Sequence, residues 1–275
     1  MTGLPRIATA RIAMPKLGLG TYRLTGRDGQ AAVESALALG YRHIDTAEMY
    51  ANEEIVGAAL RAAALPREEL FVTTKVWWTN LAPEAIRAAN AASLARLGLD
   101  HVDLYHIHWP VAGADLGAAL ATLGALMSEG RTRAIGMCNC PPGMLAAALA
   151  AGAPLAAVQV EYHATLGQSA LLALCRAHGL ALTAYSPLAQ GRLAGDPLLA
   201  RIGARHGATA SQVALAWLLR QDAVAAIPKA SRSEGQRANL GALSVPLDAA
   251  DLAAIDALPK DRRFVNPSFA PDWTA

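Results

Sequence analysis

At 275 residues and 53% hydrophobic, the chain can bury a sizeable core, while 17% charged residues and a formal charge of +2 exclude a nucleic-acid binder or an acidic tail. Three cysteines, Cys138, Cys140 and Cys175, make a poor disulfide framework and point to a reducing compartment. No basic-then-apolar leader opens the chain and no run of about 18 uncharged apolar residues offers a membrane span, so a soluble cytoplasmic protein is expected.

In chain order, residues 7–14 read as a small hairpin that caps the bottom of a larger sheet. Short apolar, β-leaning runs then alternate with longer helical ones. Strands are expected at 16–19, 43–45, 70–75, 102–108, 133–137, 157–160, 180–184 and 224–227. Helices are expected at 29–39, 53–63, 83–97, 116–129, 142–150 and 169–178, then in an insertion at 197–206 and 211–220, and finally at 233–243. Asp196 before Pro197 marks a helix start, and Thr209 or Ser211 suits the next. Gly40, Gly98 and Gly179 each follow a helical run, as C-terminal caps do.

Eight strand–helix alternations without a break in composition imply a parallel sheet, and eight closes a (β/α)8 barrel of about this length. The expected fold class is therefore α/β, a TIM barrel with a short N-terminal β-hairpin cap, in one domain. An open doubly wound sheet is the alternative, but its dinucleotide fingerprint fails: after Gly18–Leu19–Gly20, Arg23 stands where the third glycine belongs.

In a barrel, functional groups gather at the carboxyl ends of the strands. Asp45, Lys75 and His108 end the second, third and fourth expected strands, and Tyr50 lies in the loop after Asp45. Singly, each has an ordinary structural role: a cap, a solvated strand tip, a core histidine, a helix-start packing residue. At one rim they form a set that can hand a proton to a carbonyl oxygen. A free phenol, with a pKa of roughly 10, is a reluctant acid at neutral pH. The Lys75 ammonium is expected to lower that value, Asp45 to keep the lysine charged, and neutral His108 to hydrogen-bond the same oxygen. A positioned acid of this kind contributes about 10²–10⁴-fold. Tyr50 is the first candidate.

Three separated stretches carry a resemblance. G-Y-R-H-I-D-T-A-E-M-Y-A-N-E-E (Gly40 to Glu54), L-A-R-L-G-L-D-H-V-D-L-Y-H-I-H-W-P (Leu94 to Pro110) and I-P-K-A-S-R (Ile227 to Arg232) resemble the signatures of the aldo-keto reductases. The D-R-R-F-V-N-P stretch and the A-P-D-W ending look most like the bacterial 2,5-diketo-D-gluconate reductases, of the type also associated with methylglyoxal and β-keto ester reduction. The resemblance implies an NADPH-dependent carbonyl reductase, a monomer by default, with catalytic Asp45, Tyr50, Lys75 and His108. It also implies that Cys138, Asn139 and Gln159 hold the nicotinamide carboxamide and that Tyr185 stacks on the ring. Ser186, Leu188 and Gln190 then lie near the pyrophosphate, with Gly20, Thr21 and Tyr22 lining the approach. Lys229, Ala230, Ser231 and Arg232, with Asn239, would meet the 2′-phosphate end.

The chain departs from that pattern in places. Cys138 stands for a serine, a weaker hydrogen-bond partner. Gly235 stands for an arginine and Ala238 for a glutamate, which removes one fork-shaped phosphate clamp. NADPH is expected to be preferred over NADH, less strongly than usual, so some NADH use follows.

Tyr22, Trp77, Trp78 and Trp109 are the substrate-side candidates, with adjacent Trp77 and Trp78 expected on opposite sides. A short fourth loop and a brief tail imply an open site for small aldehydes, α-dicarbonyls, keto sugars and keto esters. Two other readings compete. A metal-dependent barrel hydrolase would use His106 and His108, two apart on one strand, with His43, Asp45 and His163; Lys75 at the same rim disfavours a cation, and no metal is expected. A nucleotide-sensing barrel without turnover is the other.

Overall fold

The computed structural model describes residues 4–273; the first three residues, where the leader reading begins, lie outside the described residues. Strands β1 (Arg6–Ala8) and β2 (Ala13–Pro15) pair antiparallel. Eight parallel strands follow, each hydrogen-bonded to the next: β3 (Leu19–Gly20), β4 (His43–Asp45), β5 (Phe71–Val76), β6 (Leu104–Ile107), β7 (Ile135–Cys138), β8 (Leu155–Glu161), β9 (Ala181–Tyr185) and β10 (Val224–Ala226). Closure comes from the residues before β3. Leu17 bridges Ala226 in parallel, Gly18 N–H donates to the Ala226 carbonyl at 2.9 Å, and Ala226 N–H donates to the Lys16 carbonyl at 2.8 Å. The expected (β/α)8 barrel with its hairpin is what forms.

The strands' side chains are buried almost throughout, as strands walled by helices outside and packed side chains inside must be. The outer ring comprises α1 (Gly26–Ala38), α2 (Glu53–Ala63), α3 (Pro83–Leu97), α4 (Leu116–Ser128), α5 (Pro142–Ala150), α6 (Ser169–His178), α7 (Pro197–His206), α8 (Ala210–Leu219), α9 (Ser233–Gly241) and α10 (Ala249–Asp256). Ile7, Ile12 and Met14 of the hairpin form a separate apolar cluster with Phe71, Leu104 and Ala181, at the amino ends of β5, β6 and β9. That plug packs against the amino end of the barrel, opposite the carboxyl-end mouth.

Local signals explain the boundaries. Asp196 accepts from the N–H groups of Leu198 and Leu199, and Thr209 forms a capping box with Gln212, so Thr209 rather than Ser211 starts α8. Gly98 and Gly179 end α3 and α6 with φ of 67° and 65°. Helix α10, unread in the sequence, starts at Asp248 in a second capping box with Asp251. Its mostly alanine face gave no strong apolar period. Among the described residues, no helix is long and apolar enough to cross a membrane.

Gly18 and Gly20 owe nothing to a nucleotide fingerprint. A Cβ on Gly18 would stand 2.7 Å from the His43 ring, and one on Gly20 would stand 2.6 Å from the Ile227 carbonyl at the barrel seam. Gly20 serves closure, whereas Gly18 makes room for His43.

Candidate active site

Three of the four expected residues are positioned by strand ends, and the fourth by a short turn. Asp45 ends β4, Lys75 is next to last in β5, and His108 follows β6, its N–H donating to the Val76 carbonyl at 3.0 Å. Tyr50 closes a single 3₁₀ turn, Glu48–Tyr50. Asn52 fixes that turn. Its side chain accepts from Thr46 Oγ1 at 2.7 Å and donates to the carbonyls of Thr21 and Leu24 at 2.8 and 3.0 Å, fastening the loop after β4 to the loop after β3. Glu48 accepts from the Trp77 N–H at 2.8 Å and from Asn80 at 2.6 Å, adding the loop after β5.

The four side chains converge. Lys75 Nζ, fully buried, donates to Asp45 Oδ1 at 2.5 Å and to the Thr46 carbonyl at 2.8 Å, and lies 5.1 Å from the centre of the Tyr50 ring. Tyr50 meets the His108 ring edge-on at 5.7 Å. The other Asp45 oxygen accepts from Gln159 Nε2 at 2.7 Å, so both carboxylate oxygens are engaged.

Burial dominates the electrostatics. It depresses the Lys75 ammonium, but Asp45, Tyr50 and Cys138 outweigh it and the net shift is upward, so the lysine stays charged. Burial, then Lys75 and His106, holds His108 well below the ordinary histidine value, leaving a neutral imidazole with one donor and one acceptor. The expectation for Tyr50 needs correction. Lys75 does pull the phenol down, but burial outweighs it, and the pKa is pushed up to about 12. The phenol is therefore protonated across the neutral range. An alkoxide is about as basic as hydroxide, whose conjugate acid lies near 15.7, so proton delivery from such a phenol remains downhill.

The histidines of the metal reading do not assemble. His106 is fully buried inside the barrel beside Gly136, on which a Cβ would lie 2.5 Å from its ring. His43 contacts the Pro15 carbonyl and Thr73, while His163 is held by Glu161 and Thr165. Among the described residues, no three His, Cys, Asp or Glu side chains converge as a metal site would require.

The aldo/keto reductase family model matches residues 16–260 of a barrel bearing this rim. The chain belongs to the aldo/keto reductase family. It is 39% identical to the methylglyoxal reductase DkgB of Escherichia coli O157:H7, over 95% of this chain and all of that one. It is 38% identical to the uncharacterized oxidoreductase YtbE of Bacillus subtilis (strain 168), over 92% of this chain and 91% of the relative. Among solved structures, a 2,5-diketo-D-gluconic acid reductase B superposes with a TM-score of 0.91 at 39% identity, covering 95% of this chain and 94% of that one.

In this reductase most of the other expected residues lie at or after the carboxyl ends of barrel strands. Cys138 ends β7, Asn139 follows with a φ of 55°, and Gln159 lies in β8. Tyr185 ends β9 and its hydroxyl donates to Asn139 Oδ1 at 2.8 Å, while Asn139 Nδ2 donates to the His108 carbonyl at 3.0 Å. The loop after β9 folds back on itself, with Ser186 and Gln190 at φ of 46° and 57° and Leu188 between them. Lys229, Ala230 and Ser231 follow β10, and Arg232 is the N-cap of α9. Asn239 is buried against the Tyr41 hydroxyl. Gly20 and Thr21 sit at the end of β3, where Thr21 Oγ1 donates to the Asp45 carbonyl at 2.9 Å.

The substrate side departs from expectation. Strand β5 ends at Val76, so strand alternation does not govern Trp77 and Trp78. Both pack on Phe269, with ring centres at 5.6 and 5.2 Å, and so share a side. The tail, expected to leave the site open, crosses the mouth: Phe269 also meets Trp109 at 5.5 Å, and Trp273 meets Trp109 at 6.2 Å. Buried Glu161 pins this strap, accepting from the N–H groups of Phe264 and Val265, each at 2.9 Å. Tyr22, 47% exposed, lies across the opening, 5.1 Å from the Tyr50 ring. Neither Phe269 nor Glu161 was legible beforehand; the aromatic residues of the tail were the available signal.

Proposed function

We propose that this reductase converts small aldehydes and ketones to alcohols with NADPH, Tyr50 acting as the general acid. α-Dicarbonyls such as methylglyoxal, keto sugars such as 2,5-diketo-D-gluconate, and keto esters form the substrate class. The observation that carries this reading is the buried Lys75–Asp45 pair under the Tyr50 phenol, with neutral His108 beside it.

The residues present fit a nicotinamide dinucleotide. Tyr185 offers an aromatic wall, and Asn139 and Gln159 offer amide groups to a carboxamide. Lys229 and Arg232 bring two cations to the N-terminus of α9, a place that favours phosphate. When bound, the reduced cofactor supplies the hydride. His108 hydrogen-bonds the substrate oxygen and orients the carbonyl. Tyr50 delivers its proton to that oxygen as negative charge develops there. Lys75 then stabilises the phenolate left behind, and Asp45, itself held by Gln159, fixes the ammonium. The apolar wall of Trp77, Trp109 and Phe269 excludes water from the reacting oxygen, which strengthens each of these interactions.

Stopped-flow measurement of NADPH oxidation by methylglyoxal, a keto sugar and a keto ester tests this reading. Multiple turnovers with at least one of these, undiminished by a chelator, are expected. Tight NADPH binding without oxidation by any carbonyl would identify a nucleotide sensor instead. NADPH should also give the higher kcat/KM, by a modest factor because Gly235 supplies no guanidinium; a clear NADH preference would contradict the roles of Lys229 and Arg232.

A further inference from the structure

We infer that Glu48 is a positioning residue: it fastens the turn that carries the proton donor to the turn that carries the indole wall of the substrate site. This rests on the carbonyl-reductase reading above and deepens it.

Tyr50 and Trp77 both stand against His108. The phenol meets the imidazole edge-on at 5.7 Å, and the indole meets it edge-on at 5.1 Å. The spacing between phenol and indole therefore sets where a carbonyl held by the imidazole lies. Neither ring comes from a strand or a long helix. Tyr50 closes the 3₁₀ turn Glu48–Tyr50, and Trp77 opens the 3₁₀ turn Trp78–Asn80. Each turn is three residues long, has no side-chain cap of its own and contains no fully buried residue. A lone 3₁₀ turn also has poor hydrogen-bond geometry. Local bonding and packing give little to hold either turn, so the brace must come from outside it.

Glu48 supplies that brace. It begins the first turn, and its carboxylate spans the second: Oε2 accepts from the Trp77 N–H at 2.8 Å and Oε1 from Asn80 Nδ2 at 2.6 Å. The two donors lie at the two ends of one turn, so this grip fixes both its place and its tilt. Hydrogen bonds to a charged acceptor are stronger than neutral ones. Asn52 holds the other side of the Tyr50 turn to the loop after β3. The carboxylate of Glu48 takes no part in the charge balance at the phenol, which burial, Lys75, Asp45 and Cys138 set. Its contribution is geometric. A misplacement of about 1 Å by a change away from the chemistry can cost about 10²-fold in rate.

Steady-state reduction of methylglyoxal and of para-nitrobenzaldehyde with saturating NADPH tests this. Glu48→Ala should lower kcat for methylglyoxal by about ten- to a hundredfold, with a smaller change in KM and an unchanged NADPH dissociation constant. The larger aldehyde should lose several-fold less, because a ring of that size reaches the Trp109–Phe269 side of the wall, which Glu48 does not hold. Glu48→Gln keeps an acceptor for the Trp77 N–H and offers its amide to Asn80, whose own amide can turn to accept it, so most of the rate should return. Asn80→Ala should cost part of the rate alone and little more when added to Glu48→Ala. Unchanged kcat in Glu48→Ala would overturn the inference. A Glu48→Gln variant that falls as far as Glu48→Ala would overturn it as well, by marking a role for the charge. Equal losses on both aldehydes, or weakened NADPH binding, would show a structural role only and also overturn it. A wild-type chain that reduces neither aldehyde would instead sink the reading of function itself, and this inference with it.

Discussion

Tyr50 concentrates what spacing reveals and what it conceals. Its distance from Asp45 and the strand ends at Lys75 and His108 were enough to bring four groups to one rim. The sign of the phenol's shift was not readable, because it depends on how much protein covers the ring. With the pKa pushed up to about 12, the acid form persists through the usual assay range. Carbonyl reduction should therefore show no alkaline loss attributable to Tyr50 between about pH 7 and about pH 10. In Lys75→Met the phenol loses the cation that pulls it down, so its pKa should rise further while kcat falls; pH–rate profiles of the two proteins check both directions. Asn52 and Glu48 stayed hidden because a loop side chain's partners come from distant loops, which no periodicity records.

At the level of elements, the strands and helices were legible because apolar runs and caps agree with each other. The misses occurred where that agreement lapses. Helix α10 lacks a marked apolar period, and strand alternation was extended to Trp77 and Trp78, which lie beyond the end of β5. The tail fooled sequence reading because its fold-back depends on two backbone N–H groups meeting Glu161. Interior glycines give a sharper test of packing. Gly136→Ala would drive a Cβ into the Ala157 carbonyl and the His106 ring, so a destabilisation of about 1–3 kcal/mol is expected in denaturant melts. Thr209→Ala, which removes only the capping box of α8, should cost about 1 kcal/mol.

For the whole molecule, closure of eight strands puts uncharged histidines in the interior, and that sets its response to acid. His43 and His106 are lowered from 6.5 to about 4 and about 3, burial being the main cause in each. Below pH 6.5 the unfolded chain takes up protons that the folded one refuses, so stability should be intact above that value and fall as pH drops toward 4. Thermal melts across that window should show the decline, and His106→Asn should make it shallower. Barrel closure itself was foreseeable from the count of alternations, whereas the seam at Gly18 and Gly20 was not, since a glycine's reason lies in the residue that crowds it.

The central claim is that one phenol delivers the proton, and Tyr50→Phe addresses it most directly because it keeps the ring and deletes the acid. We expect kcat for carbonyl reduction to fall by about 10²–10⁴-fold while the NADPH dissociation constant from fluorescence titration barely changes. A variant that keeps most of its turnover would contradict the account.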